Sequence, residues 1–147
     1  MARRYLPKQN DHSLDLDGYK GLAGFRYALR QFLAASETIA GGAGVTARQY
    51  QALLAIKAHE GQAMAMKALA EELLLTHHAA VQLVNRLAKA GFAERRPSAD
   101  DRRSVLLRLT PEGEALVEQL AKQHLQEMLK QEPLLTRSIQ HLKRIGA

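Results

Sequence analysis

The sequence predicts a mainly α-helical fold with a small β-hairpin. Three observations lead there. Apolar residues recur at helical spacing through most of the chain. Threonines stand at helix-start positions before three of the periodic stretches, at Thr46, Thr76 and Thr110. One segment, Ser104 to Leu109, changes to strict alternation, with Val105, Leu107 and Leu109 against Ser104, Leu106 and Arg108. That is the period of a strand with one buried face.

Taken in order, Met1 to Leu16 lacks periodicity, contains Pro7 and mixed charges, and reads as an extended arm. From about Tyr19 to Ala40, Leu22, Phe25, Leu29, Phe32, Leu33 and Ile39 mark a first helix, ended by Gly41, Gly42 and Gly44. Thr46 and Gln49 form the pattern of a capping box, and Val45 and Tyr50 that of a hydrophobic staple. The second helix then buries Tyr50, Leu53, Leu54 and Ile56, and Gly61 lies just past its end. Met64-Ala65-Met66 is a short link, long enough for one small strand and expected in the core. A compact helix over 67–75 turns Leu69, Ala70 and Leu73 inward. With Thr76 as cap, the next helix runs to about Ala90, with Val81, Val84, Leu87 and Ala88 on one face and Gly91 after it. Phe92 to Arg96 can pair with Ser104 to Leu109 across Pro97-Ser98-Ala99-Asp100-Asp101-Arg102-Arg103, which has turn chemistry. Thr110-Pro111 starts a helix to about Gln131, and Pro133 begins a last short helix.

A chain of 147 residues has the size of one domain with a real core. No apolar run approaches the roughly 18 residues of a membrane helix, and no apolar stretch follows Arg3 and Arg4 as a signal peptide requires. There is no cysteine, so disulfides, thiolate metal sites and thiol-based redox sensing are excluded. A cytoplasmic location is the matching expectation. His12, His59, His77, His78, His124 and His141 show no metal-ligand spacing. No nucleophile–base motif or phosphate loop is present, so neither an enzyme nor a cofactor is expected.

The net charge of +6 is concentrated. Residues 86–108 carry seven bases against three acids, whereas 45–85 and 109–147 are each balanced. That excess sits beside the hairpin and favours a polyanionic partner over a merely solvated surface. Two helices joined by almost no linker, then a basic two-stranded hairpin, make a winged helix-turn-helix over about Thr46 to Leu109. In such a unit the second helix enters the major groove. Here that helix offers His77, His78, Gln82, Asn85 and Arg86, with Thr76 at its head and no acid from Thr76 to Ala90. Gln and Asn can bond adenine bidentately, and Arg guanine. The hairpin offers Arg95, Arg96, Arg102 and Arg103 for phosphates or the minor groove. Asp100 and Asp101 oppose that reading unless one of them accepts hydrogen bonds from an arginine and fixes its direction.

The run Thr-His-His-Ala-Ala-Val-Gln-Leu-Val-Asn-Arg-Leu-Ala-Lys-Ala-Gly-Phe-Ala-Glu-Arg-Arg from Thr76 to Arg96 resembles the MarR family of bacterial transcriptional regulators. So does Asp101-Arg102-Arg103-Ser104 through Leu109-Thr110-Pro111-Glu112-Gly113, the more distinctive part. The resemblance extends from the helix near Tyr19 to the last helix. It implies one domain over 1–147, with 46–109 as the winged helix-turn-helix and 17–44 and 110–147 as a helical dimerisation region. It implies a homodimer on a pseudo-palindromic double-stranded DNA operator, commonly a repressor released by a small aromatic or anionic ligand. Asp101 and Arg103 match the wing's Asp-x-Arg motif, and Arg86 a basic position of the recognition helix. Arg26, Tyr27 and Tyr50 are expected to border a family-type ligand pocket. Two departures stand out. Leu73-Leu74-Leu75 fills a turn where the family often has Gly, so a left-handed Leu74 would carry strain of roughly 1 kcal/mol. The adjacent His77-His78 is also unusual. The rival reading is a winged-helix protein-interaction module that does not touch DNA. The Leu-rich terminal helices independently favour a dimer, since one winged helix has too little surface to bury them.

Overall fold

A computed structural model describes residues 13–101 and 103–146. The expected extended arm, apart from its last residues, and Arg102 lie outside the described residues. The order is α1 (Leu16–Gly42), α2 (Ala47–Ala58), a 3₁₀ turn (Glu60–Gln62), β1 (Met64–Ala65), α3 (Met66–Glu72), α4 (His77–Lys89), β2 (Ala93–Pro97), β3 (Val105–Leu109) and α5 (Pro111–Gly146).

Local chemistry sets most of these boundaries. The Asp15 carboxylate accepts from Gly18 N at 3.0 Å, which starts α1 ahead of the apolar pattern. The capping box of α2 is complete: Gln49 N donates to Thr46 Oγ1 at 3.0 Å, and Thr46 N donates to Gln49 Oε1 at 2.9 Å. Helix α2 buries Tyr50, Ala52, Leu53 and Ile56. Leu54, expected in the core, is 40% exposed. At about 100° per residue it falls just beyond Tyr50, outside the arc that 52, 53 and 56 define.

The sheet is larger than the expected hairpin. Its order is β1-β3-β2, all antiparallel. The Met64-Ala65 link pairs with Leu107 and Leu106, and Ala93 to Pro97 pair with Leu109 to Val105. β3 is therefore the central strand. Leu107 and Leu109 point into a core shared with Leu53 and Ile56 of α2, Leu69 of α3, Val84 and Leu87 of α4, and Val117 and Leu120 of α5.

The C-terminal helix departs from expectation. Pro133 lies inside one continuous α5 and begins no separate helix. Proline removes the hydrogen bond to the carbonyl four residues back, that of Leu129. Leu129 is 65% exposed, so water can take that carbonyl. Packing of α5 along α1 holds the helix together across the break.

The junction from hairpin to α5 is close. Thr110 N donates to the Phe92 carbonyl at 3.1 Å. Thr110 Oγ1 donates to the Gly91 carbonyl at 2.6 Å and accepts from Gly113 N at 3.0 Å. A Cβ on Gly113 would stand 2.0 Å from the Phe92 oxygen, a backbone atom with little room to move.

Helix α1 is inverted relative to its apolar pattern. Its buried residues are small: Gly18, Gly21, Ala28, Ser36 and Ala40. Gly21 faces His141 and Leu142, and Gly24 faces Ser138, so α5 lies close against this small-residue side. Leu16, Tyr19, Leu22, Leu29 and Leu33 stay exposed, as do Leu125, Met128 and Leu129 on α5.

Two glycine exchanges should shift stability in opposite directions. Gly113→Ala should destabilise by about 2–4 kcal/mol in urea unfolding, because the clash is with backbone. Leu74→Gly should cost little or stabilise by up to about 1 kcal/mol, since Leu74 sits at φ 55° with its side chain 93% exposed. A neutral Gly113→Ala would show that the α5 start can slide.

Candidate nucleic-acid interface

The turn between α3 and α4 adopts the strained form anticipated for three leucines. Leu75 N donates to the Ala70 carbonyl at 2.8 Å and Leu74 N to the Glu71 carbonyl at 3.2 Å, which wraps the chain around a left-handed Leu74. Leu73 and Leu75 pack against the core, and only Leu74 is turned out. Thr76 then caps α4, its Oγ1 accepting from Ala79 N at 3.2 Å. Ala80, Leu83, Val84 and Leu87 are buried, which leaves His77, His78, Gln82, Asn85, Arg86 and Lys89 exposed. The inward face is slightly rotated from the expected one: Leu83 lies deeper than Val81 and Ala88.

The hairpin tip is ordered by Asp101. Its Oδ1 accepts from Arg103 N at 2.9 Å, its Oδ2 from Ser104 Oγ at 3.3 Å, and its carbonyl from Ser104 N at 3.0 Å. Ser98 N closes the loop on the Ser104 carbonyl at 3.0 Å. The expected job of an Asp here was to hold an arginine side chain. These bonds instead use the carboxylate to shape the backbone from which Arg103 projects. Asp100 is exposed at the tip. Arg96 pairs with Glu94 at 3.1 Å, an exposed pair of little energetic weight. Arg95 reaches back to α4, its Nη1 donating to Asn85 Oδ1 at 2.5 Å.

A cleft of about 280 Å³ opens between the start of α3, the head of α4 and the hairpin. Lys67, His77, Arg95 and Arg103 all line it. The structure thus brings His77, Arg95 and Arg103 together, with His78, Gln82, Asn85 and Arg86 along the neighbouring exposed face of α4. Arg96 points to Glu94 instead, and Arg102 lies outside the described residues. Lys67 was missed in the sequence. Its signal was its place in the first turn of the leading helix of a helix-turn-helix, the helix that crosses the nucleic-acid backbone.

The three residues expected at a ligand pocket are not gathered into one cleft. Arg26 and Tyr27 are exposed on α1, where Tyr27 Oη accepts from Gln31 Nε2 at 2.7 Å. Tyr50 is 5% exposed and stacks on His124, with ring centres 4.0 Å apart and planes at 11°. His124 Nδ1 donates to the Leu120 carbonyl at 2.7 Å, and Nε2 lies 2.7 Å from Ser36 Oγ. With Nδ1 carrying the proton, the neutral ring accepts from the serine hydroxyl at Nε2. This buried trio ties α1, α2 and α5 together. Burial pushes the Tyr50 hydroxyl above its usual acidity constant of 10.0. Among the described residues no three His, Asp or Glu side chains are grouped to hold a metal ion.

Residues 43–104, from just after α1 to just before β3, match the MarR family model. Over this segment the chain is similar to the MarR family. No curated protein matches the chain. Solved MarR family structures share the fold at low identity. AbsC from Streptomyces coelicolor superposes with a TM-score of 0.74 at 20% identity, covering 81% of this chain and 80% of its own. Sco3205 from the same organism, solved in complex with DNA, gives 0.74 at 20% identity over 90% and 87%. MarR from E. coli gives 0.66 at 24% identity over 85% of each chain. The matched segment holds α2, β1, α3, α4, β2 and the hairpin turn, whereas α1, β3 and α5 flank it.

Tyr50 provides a check on the packing of this segment. A raised folded-state value means that its contribution to stability is intact below the unfolded value of 10.0 and is lost as pH rises through the folded value. Thermal melts from pH 8 upward should therefore fall more steeply for the native chain than for Tyr50→Phe. Parallel curves would place the hydroxyl in water.

Proposed function

We propose that this chain is a sequence-specific DNA-binding transcriptional regulator acting as a homodimer. One observation carries the reading. The acid-free outer face of α4 and the cationic cleft of Lys67, His77, Arg95 and Arg103 lie on one side of the molecule. A recognition helix beside a basic wing is the arrangement that binds a major groove and its flanking phosphates. MarR from E. coli and Sco3205 have both been solved with DNA, which supports carrying this role to the present chain. A protein-interaction module would have no need to keep acids off this helix.

The division of labour follows the fold. The winged unit over 46–109 reads DNA, and the helices over 17–44 and 110–147 form the dimer platform. Leu16, Tyr19, Leu22, Leu29 and Leu33 of α1 with Leu125, Met128 and Leu129 of α5 are large apolar side chains left exposed on the two terminal helices, the kind of surface that marks an association site. A second copy would cover it and set two recognition helices about 34 Å apart. Thr76 caps the reading helix, His77, His78, Gln82, Asn85 and Arg86 face the groove, and Arg95, Arg96, Asp101, Arg102 and Arg103 serve the wing.

Arg103→Ala should weaken binding to the upstream region of the protein's own gene by about tenfold. It should also reduce the slope of log K against log salt by about 1. Light scattering should still report a dimer. Salt-independent binding by the unaltered chain would refute phosphate contacts, and a monomeric Arg103→Ala would assign Arg103 a structural role.

The resemblance extends this reading to a repressor released by a small aromatic or anionic ligand. A panel of aromatic acids tests it by thermal shift. A true effector at a hundredfold its dissociation constant should add about 2.7 kcal/mol and abolish the mobility shift. No stabilisation across the panel would remove that class of effector.

A further inference from the structure

Arg95 and Asn85 come from different elements and meet on the exposed side of the winged unit, β2 to α4. A guanidinium has five N–H donors and no acceptor. The amide atom that faces it at 2.5 Å must therefore be the oxygen, since the amino group would meet donor with donor. This fixes the amide of Asn85 and leaves its NH₂ group for whatever approaches.

Asparagine reads adenine by accepting from N6 and donating to N7 at the same time. With Oδ1 already accepting from the Arg95 guanidinium, one of its two lone pairs is used, and any donor approaching the other meets a cationic donor beside it. What the two side chains present together is a set of N–H donors. Guanine is the base whose major-groove edge carries two acceptors, N7 and O6, side by side. Gln82 is different. Its Nε2 lies 3.2 Å from His78 Nε2, where the amide N–H donates if the ring proton is on Nδ1 and the amide oxygen would have to take its place if the proton is on Nε2, so its amide is not fixed in the same way.

We infer that Asn85 and Arg95 form one donor-rich reading unit that selects guanine over adenine at its base pair. Arg95 is the positioning residue and Asn85 the specificity-determining one. The inference rests on the DNA-binding reading and deepens it. It replaces the adenine contact that the residue type alone suggested for Asn85.

The test is selection from a randomised duplex library by the full chain, followed by sequencing. The unaltered protein should enrich guanine about tenfold over adenine at one position of each half-site. Asn85→Ala should flatten that position and leave the others unchanged. Arg95→Ala frees the amide and should move the same position toward adenine. Asn85→Asp keeps an acceptor toward Arg95 but turns an acceptor outward, and should move it toward cytosine, whose N4 donates. Base choice is the deciding readout, because a damaged fold lowers affinity at every sequence without changing the preferred base. Adenine enriched by the unaltered protein at the position that Asn85→Ala flattens would overturn the inference. So would an Arg95→Ala variant that binds less tightly with the same base preference. If the unaltered chain enriches no sequence at all, the DNA-binding reading falls, and this inference with it.

Discussion

The contact between the Phe92 carbonyl and the bare Cα of Gly113 fixes how the two halves of the molecule meet. Thr110 bonds the same turn through its backbone N–H and its hydroxyl. β2 begins one residue after Phe92, and α5 begins one residue after Thr110. This knot therefore sets the angle at which a 36-residue helix leaves a five-residue strand. Val117 and Leu120, one and two turns along α5, then fall into the core formed by β3, α2 and α4. A larger residue at 113 would pry open the junction on which both the wing and the long helix depend. Leu-Thr-Pro-Glu-Gly, the most distinctive part of the family resemblance, is thus explained by packing and not by contact with a ligand.

Beyond that junction, α5 runs along α1, and the choice of residues between them governs the rest. Glycines, alanines and Ser36 allow close approach, so the large apolar side chains of α1 are left on the far side. A buried Leu contributes roughly 1.5–3 kcal/mol relative to an exposed one. Leaving several of them in water makes association with a second copy favourable, which agrees with the dimer proposed above. His124, held by Ser36 and the Leu120 carbonyl and stacked on Tyr50, is the polar joint where this two-helix arm meets α2. A buried polar group of this kind is tolerated because both ring nitrogens are used.

What the sequence disclosed follows the range of each interaction. Caps act over three residues, and Thr46, Thr76 and Thr110 all perform as their spacing predicts. The strand period of Val105 to Leu109 was legible because Leu107 and Leu109 are buried on one face while Arg108 between them is exposed. The strain at Leu74 was legible only through the resemblance to a family that often has Gly in that turn. Pairing of β1 with β3 was not, since two residues carry no measurable period and their partners lie more than forty positions away. Nor was the continuity of α5, because Pro133 is a local signal that packing along α1 overrides. Apolar spacing located α1 but not what covers its stripe, since periodicity does not say which partner, if any, does so. At the candidate site the residue types were readable and their bonds were not. Nothing in the chain before folding indicates that Arg95 spends a donor on Asn85.

That bond belongs to a wider pattern on the same face. Several acceptors there are used internally: Thr76 Oγ1 by Ala79 N, Asn85 Oδ1 by Arg95, one Glu94 oxygen by Arg96, and both Asp101 oxygens by the wing's own backbone and Ser104, while the Asp100 carboxylate stays exposed. A surface built to meet phosphates and base edges gains nothing from outward lone pairs, which would repel phosphate oxygens and have to be desolvated without return. Committing them within the protein stabilises the α4 start and the hairpin tip, and it turns the remaining donors outward. The carboxylate of Asp101, an apparent liability among the four arginines of the hairpin, becomes under this view the element that gives the wing its shape while its charge is partly absorbed by the Arg103 N–H and the Ser104 hydroxyl. The electrostatic character of the face then comes from where hydrogen bonds end as well as from the net count of bases.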